Sequence, residues 1–252
     1  MGKVIKVTDE IFDKQLDILP KEIKFCKKCV ISNQRPRIRW DLEEEGVCSA
    51  CDYAYEKDNE IDWDAREKEL QKVCDKYRSK DGSWDVIVPG SGGKDSGMVT
   101  HKLKHKYGMH PLTITWAPFI YTEIGWKNFI AIKDKGFDNI LVHPDGKLHR
   151  KLSLLAFDLH GDAWDPFGYG QQYLAYHMSV KYNIPLIFFG ENGEIEYGGE
   201  DKHKNMVEAP MEDWEEIFYK GSSAQKLVDA GLKRNIFTKE EIKSSSFDFY
   251  KP

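Results

Sequence analysis

No apolar run in this sequence approaches the roughly 18 residues that a membrane span needs. The first residues, Met1 to Glu10, alternate polar and apolar side chains and lack the apolar stretch of a secretory signal. A cytoplasmic location is therefore expected, with no membrane partner. An excess of positive charge is missing too: the formal net charge is −5. Phosphate backbones demand clustered Lys and Arg, so the balance argues against nucleic acid as a partner. Cysteine is scarce, at five residues, and none follows Cys74. No internal repeat is present. What remains is an ordinary globular composition, with 40% hydrophobic and 31% charged residues in a chain of 252. That length suffices for one substantial α/β domain and a small module.

Four of the five cysteines form two pairs, Cys26-x₂-Cys29 and Cys48-x₂-Cys51, with residues 30–47 between them. This spacing fits a Cys₄ zinc site. Four protein thiolates fill a tetrahedron and leave no position for water or substrate, so the site is expected to be structural. Iron would accept the same four thiolates. Cys74 stands alone and reads as a small buried apolar residue.

From residue 81 the pattern alternates strand, loop and helix. Strands are expected at Asp85–Val88, Leu112–Trp116, Asn139–Val142 and Leu186–Phe189. Helices are expected at 58–79, 94–107, 123–135, 147–160 and 170–182. Such alternation predicts right-handed crossovers and a doubly wound parallel sheet, with ligands at the carboxyl ends of its strands. Shorter readings are a strand at Lys3–Val7, a helical region over 211–243 and a capping box at Thr238–Glu241. The expected divisions are a zinc module over 1–57, a linking helix over 58–80, an α/β domain over 81–205 and a helical segment over 206–252.

The most informative stretch is Val86-Ile87-Val88-Pro89-Gly90-Ser91-Gly92-Gly93-Lys94-Asp95-Ser96. An apolar strand runs through small residues into a helix. Glycines let the backbone approach a ligand, and the helix start offers N–H groups to an anion. A Walker A loop would need Gly at position 88 and Ser or Thr at 95, where Val88 and Asp95 stand. A dinucleotide fingerprint fails as well, because Asp95 occupies its last glycine position.

The segment instead resembles the PP-loop, Ser-Gly-Gly-x-Asp-Ser, of the ATP pyrophosphatases, matching at Ser91, Gly92, Gly93, Asp95 and Ser96. That resemblance implies an adenine nucleotide alpha-hydrolase-like fold and cleavage of ATP between its α and β phosphates. Ser91, Gly92, Gly93 and Ser96 would cradle pyrophosphate, Asp95 would help hold Mg²⁺, and Lys94 would offset charge on the leaving group. Lys94, Asp95 and Ser96 are thus the implied catalytic residues. Thr115 and Trp116, at the end of the second strand, would hold adenine through backbone groups; Trp116 reads equally as core. Gly190 and Glu191 follow the fourth strand, with Glu191 as a second Mg²⁺ candidate or part of a solvated acidic loop with Asn192, Glu194 and Glu196. Phe167–Gln171 reads as a ligand contact or a helix-initiating turn, and His143–Gly146 as a turn.

The cysteine pairs, the PP-loop, Pro111–Pro118, Asp165–Gln171 and Gly190–Gly199 together resemble the N-acetyl sugar amidotransferases of surface polysaccharide (lipopolysaccharide O-antigen) biosynthesis. The likeness implies a UDP-linked N-acetyl sugar as substrate. It also implies ammonia supplied by a glutaminase subunit and a cyclase-like barrel subunit, both similar to those of histidine biosynthesis. Chains of that family run on past this length, so the resemblance implies that the segment 206–252 is incomplete. Two rival readings are a tRNA-thiolating PP-loop enzyme and a non-catalytic nucleotide-binding scaffold. The first usually needs cysteines in or after the ATPase core; the second is opposed by the intact Ser91–Ser96 motif.

Overall fold

The structure is a computed structural model that describes residues 19–35, 37–40, 46–191, 196–199, 204, 206, 219 and 221–252. The expected strand at Lys3–Val7, the candidates Asn192 and Glu194, and residues 211–218 of the expected C-terminal helical region lie outside the described residues.

Two helices precede the sheet. Helix α1 spans Ser49–Asn59 and α2 spans Trp63–Tyr77. The single helix expected over 58–79 is thus interrupted at 60–62. Asp62 explains the restart, since its side chain accepts from the amide of Ala65 at 2.9 Å and caps α2. Cys74, on α2, is fully buried against Val86, Val88, Leu103 and Met109. Burial pushes its thiol pKa up, which leaves it an unreactive core residue.

Strand β1 (Val86–Pro89) leads to α3 (Lys94–His105), β2 (Pro111–Trp116), α4 (Glu123–Asp134), β3 (Asp138–Val142) and α5 (Gly146–His160). The three strands form a parallel sheet in the order β1-β2-β3, with Val86 opposite Pro111 and Leu112 opposite Asp138. Every residue of β2 is buried, as expected when helices cover both faces of a parallel strand. The architecture is mixed α/β. The sheet is smaller than the sequence suggests, because the fourth strand contributes only a parallel bridge, Ile87 to Ile187. There the Ile87 amide donates to the Leu186 carbonyl and the Phe188 amide to the Ile87 carbonyl, both at 2.9 Å. β1 therefore has β2 on one side and this short segment on the other.

Caps follow the sequence closely. Thr122 accepts from Gly125 at the start of α4. Asp145 accepts from Lys147 and Leu148 and caps α5, so Gly146, expected in a turn, is instead the first residue of the helix. Helix α6 spans Asp165–Tyr182 and begins earlier than the expected residue 170. It is followed, after the bridge segment, by α7 (Ala224–Lys233), α8 (Lys239–Lys243) and a 3₁₀ turn at Phe247–Tyr250. The capping box of Thr238 and Glu241 is present at α8. Tyr250 closes the core beside α5, with its hydroxyl 2.7 Å from Nδ1 of the buried His149. Burial pulls the His149 pKa down to about 4, so the ring is neutral near pH 7.

The chain forms two compact units whose boundaries differ from the expected ones. One holds Leu70–Glu191 and Ser222–Pro252; the other holds the described residues of 19–69 and 196–221. Glu196–Gly199 thus belongs with the cysteines rather than with the sheet.

Among the described residues, no helix is long and apolar enough to cross a membrane.

Candidate functional site

The cysteine pairs are positioned by two different local structures. The first sits in a tight hairpin. Phe25 bridges Ser32, and the Cys26 amide donates to the Ile31 carbonyl at 2.9 Å. Asn33 braces its base, its carboxamide accepting from the Lys24 amide and donating to the Glu22 carbonyl. The second pair sits at the start of α1, where Cys48 is the N-cap and Cys51 lies in the first turn.

The four sulfurs converge, all within 4.8 Å of one another. Cys26 Sγ lies 3.9 Å from Cys51 Sγ, and Cys29 Sγ lies 3.5 Å from Cys48 Sγ. Tetrahedral ligation at Zn–S bonds of about 2.3 Å requires sulfur separations of about 3.8 Å. The set therefore fits a metal such as zinc. Burial raises the Cys26 pKa, but N–H groups of Lys28, Cys48 and Cys29 aimed at its sulfur outweigh this and bring it to about 6. Burial and the neighbouring sulfurs push Cys51 up, and burial pushes Cys48 up. Four crowded thiols resist common ionisation until a cation compensates them, so metal binding here releases protons.

The same unit carries a long-range clasp. Ser49, between two of the ligands, donates its hydroxyl to the Gly198 carbonyl at 2.6 Å and accepts from the Arg39 amide at 3.1 Å. Gly198 has φ +87°, and a Cβ there would lie 2.6 Å from Ile38 and 2.7 Å from the Ala50 amide nitrogen. Arg35 lies over the Tyr197 ring, and Lys57 pairs with Glu196 at 3.2 Å. Glu196, read as part of an acidic loop, is thus tied to α1.

The glycine loop occupies the carboxyl end of β1. Gly93 is the N-cap of α3 and supplies no side-chain cap, so the helix start relies on outside acceptors. Three glycines have no room for a side chain. At Gly90 a Cβ would lie 2.9 Å from Ser96 Oγ. At Gly190 it would lie 2.9 Å from the Ser96 amide nitrogen and 3.2 Å from the Asp95 carbonyl carbon. At Gly92, with φ +95°, it would lie 2.7 Å from the Phe129 amide nitrogen. Gly90, Asp95, Ser96 and Gly190 are therefore brought together, and exposed Glu191 follows directly. Asp95 accepts the Lys94 ammonium at 2.7 Å on both oxygens, with their side chains 45% and 88% exposed. Such an exposed pair is weakly held and leaves both groups accessible to a ligand. Ser91 and Gly93 are exposed at the loop surface.

Gly92 carries a direct prediction. Gly92→Ala combines a left-handed backbone with a clash against backbone atoms, and it should cost about 1–3 kcal/mol. The melting temperature should fall, and loop function should fall with it; an unchanged melting curve would contradict the close approach to α4.

The other candidates separate. Thr115 and Trp116 end β2, both buried, and point to opposite faces. The Trp116 indole is core, packed edge-on against Tyr250 at 5.2 Å and Phe249 at 6.3 Å. Gly170, within the segment expected as a ligand contact or a helix-initiating turn, makes room for that indole: a Cβ would lie 2.2 Å from the Trp116 ring. Phe167–Gln171 lies inside α6 rather than before it. Sequence reasoning passed over Asn139, whose amide donates to Thr115 Oγ1 at 3.0 Å and Thr113 Oγ1 at 2.9 Å. The signal was available, since polar residues at alternate positions of a buried strand need partners.

No protein-family model matches this chain, and no curated protein matches it.

Proposed function

We propose that the glycine loop is a PP-loop and that the protein is an ATP-dependent amidotransferase acting on a UDP-linked N-acetyl sugar. The observation that carries this reading is the close approach of Gly90 and Gly190 to the start of α3 at the carboxyl end of β1, with Gly92 between them packed against α4. Strand neighbours lie on both sides of β1, which supports a doubly wound sheet with its ligand crevice at this point. The backbone amides of the loop and Ser96 would hold the β and γ phosphates. Asp95 and Glu191 would hold Mg²⁺, which supplies charge neutralisation on the phosphates when bound. Lys94 would offset charge on departing pyrophosphate.

The chemistry is an exchange of oxygen for nitrogen. The acetamido carbonyl oxygen attacks the α phosphorus, and the bond to the β phosphate oxygen breaks. Pyrophosphate leaves with that electron pair. Ammonia adds to the activated carbon and AMP departs with the former carbonyl oxygen, leaving an acetamidinium. Ammonia would come from a glutaminase partner with a cyclase-like barrel subunit, in the cytoplasm. The Cys₄ site would hold zinc as a structural ion.

The test is incubation with ATP, ammonium and a panel of UDP-linked N-acetyl sugars, with nucleotides and sugars followed by mass spectrometry. AMP, pyrophosphate and a sugar lighter by the difference between O and NH are expected. Release of ADP and phosphate would overturn the mechanism. AMP formation with every sugar unchanged would overturn the acceptor.

A further inference from the structure

Gly90 is held at both of its backbone groups by β2. Its amide donates to the Ile114 carbonyl at 2.9 Å, and its carbonyl accepts the Thr115 hydroxyl at 2.6 Å. The direction of each bond is fixed by counting protons. Thr115 has one hydroxyl proton, given to Gly90, and Thr113 gives its own to the Asp138 carbonyl at 2.6 Å. Both hydroxyl oxygens can then only accept, so the group of Asn139 facing them is its NH₂. The result is a part-buried relay running from Asn139 through the buried Thr115 to the Gly90 carbonyl.

That relay reaches the loop because a trans peptide is planar, with its C=O and N–H pointing in opposite directions. No cis peptide occurs among the described residues. Pinning the Gly90 carbonyl toward β2 therefore aims the Ser91 N–H away from β2. With the carbonyl released, the Gly90–Ser91 peptide could turn over and present an oxygen where the loop otherwise presents a donor. We propose that Thr115 and Asn139 are positioning residues that lock this peptide so that the Ser91 amide serves a phosphate oxygen. The proposal rests on the reading of Gly90–Ser96 as a phosphate cradle. It gives Thr115 a task carried by its side chain, which is 2% exposed and already committed to Gly90.

Two substitutions at one position separate positioning from packing. Thr115→Val keeps the shape and removes the hydroxyl; Thr115→Ser keeps the hydroxyl and removes the methyl. Affinity for ATP with Mg²⁺, and for pyrophosphate, is measured by calorimetry alongside melting temperature. Loss of one hydrogen bond to a charged oxygen should weaken binding about tenfold to a hundredfold in Thr115→Val. Thr115→Ser should bind within about threefold of the parent, although its lost methyl lowers its melting temperature. Crystal structures of the unliganded parent and Thr115→Val should show the Gly90–Ser91 peptide reoriented in the variant. If Thr115→Val binds like the parent, the positioning role falls while the cradle stands. If the parent binds neither ATP nor pyrophosphate, the cradle falls, and the peptide orientation then decides: reoriented supports the lock, unchanged overturns it.

Discussion

Asp95→Ala should reduce ATP turnover by about 10²–10³-fold, the range seen when one charge-stabilising group is removed from a reaction centre. The fold should barely notice. Asp95 sits in the first turn of α3 with its side chain 45% exposed, and it pairs with an ammonium that is almost wholly in solvent. A carboxylate at a helix start contributes about 0.3–1 kcal/mol, and an exposed ion pair adds about as little. Catalysis and stability are thus predicted to separate at this residue. Asp95→Asn sharpens the measurement, because it keeps the shape and removes the charge; it should be as slow as alanine if the carboxylate binds metal. Parent-like pyrophosphate release from Asp95→Ala would remove the residue from the mechanism.

The second large effect is expected at Cys48. Cys48→Ser removes a fully buried cysteine of the four-sulfur cluster at the N-cap of α1, in a small core where Val47 and Cys26 are also buried. A structural zinc site contributes on the order of 10 kcal/mol to the folding of a small unit. That exceeds anything the few apolar side chains around it can replace. Metal analysis of the parent should find about one ion per chain, and the variant should lose it. Hydrogen exchange should then show the amides of α1 unprotected, while those of β2 stay protected. A chelator applied to the parent should reproduce the pattern. A metal-free variant with α1 still protected would show that the cysteines do not hold the unit together.

Much of the sheet unit was legible because each signal was local. The run Val86–Pro89 followed by glycines marks a strand and its loop, and α3 begins at the expected Lys94. Helices α4 and α5 begin at or within one residue of the expected Glu123 and Lys147, and the structure adds Thr122 and Asp145 as their caps. Helix α1 was not legible. Its sequence, SACDYAYEKDN, is polar on nearly all sides and buries only Ser49, so it lacks an apolar stripe to read. The fourth strand failed for the opposite reason: Leu186–Phe189 has strand character, but pairing depends on the partner it meets, and among the described residues only one bridge forms there. Gly170 shows a further limit. A glycine that admits a ligand and a glycine that admits an indole are identical in sequence, and only the Trp116 contact decides between them. The candidate site residues were read from motifs, whereas Asn139 and Ser49 bond to partners distant in sequence.

The Ser49–Gly198 hydrogen bond joins residues 149 positions apart. Chains are made at about 5–20 residues per second, so Ser49 waits roughly 7–30 s for its acceptor to be synthesised. Over that interval the cysteine hairpin and α1 are already made, with the surface of Ile38, Ser49 and Ala50 that receives Gly198 still bare. The cysteine-bearing unit can therefore begin folding early but is completed late. Cutting the gene at the end of the cysteine region would yield a fragment with all four cysteines and the seat of Gly198 unfilled.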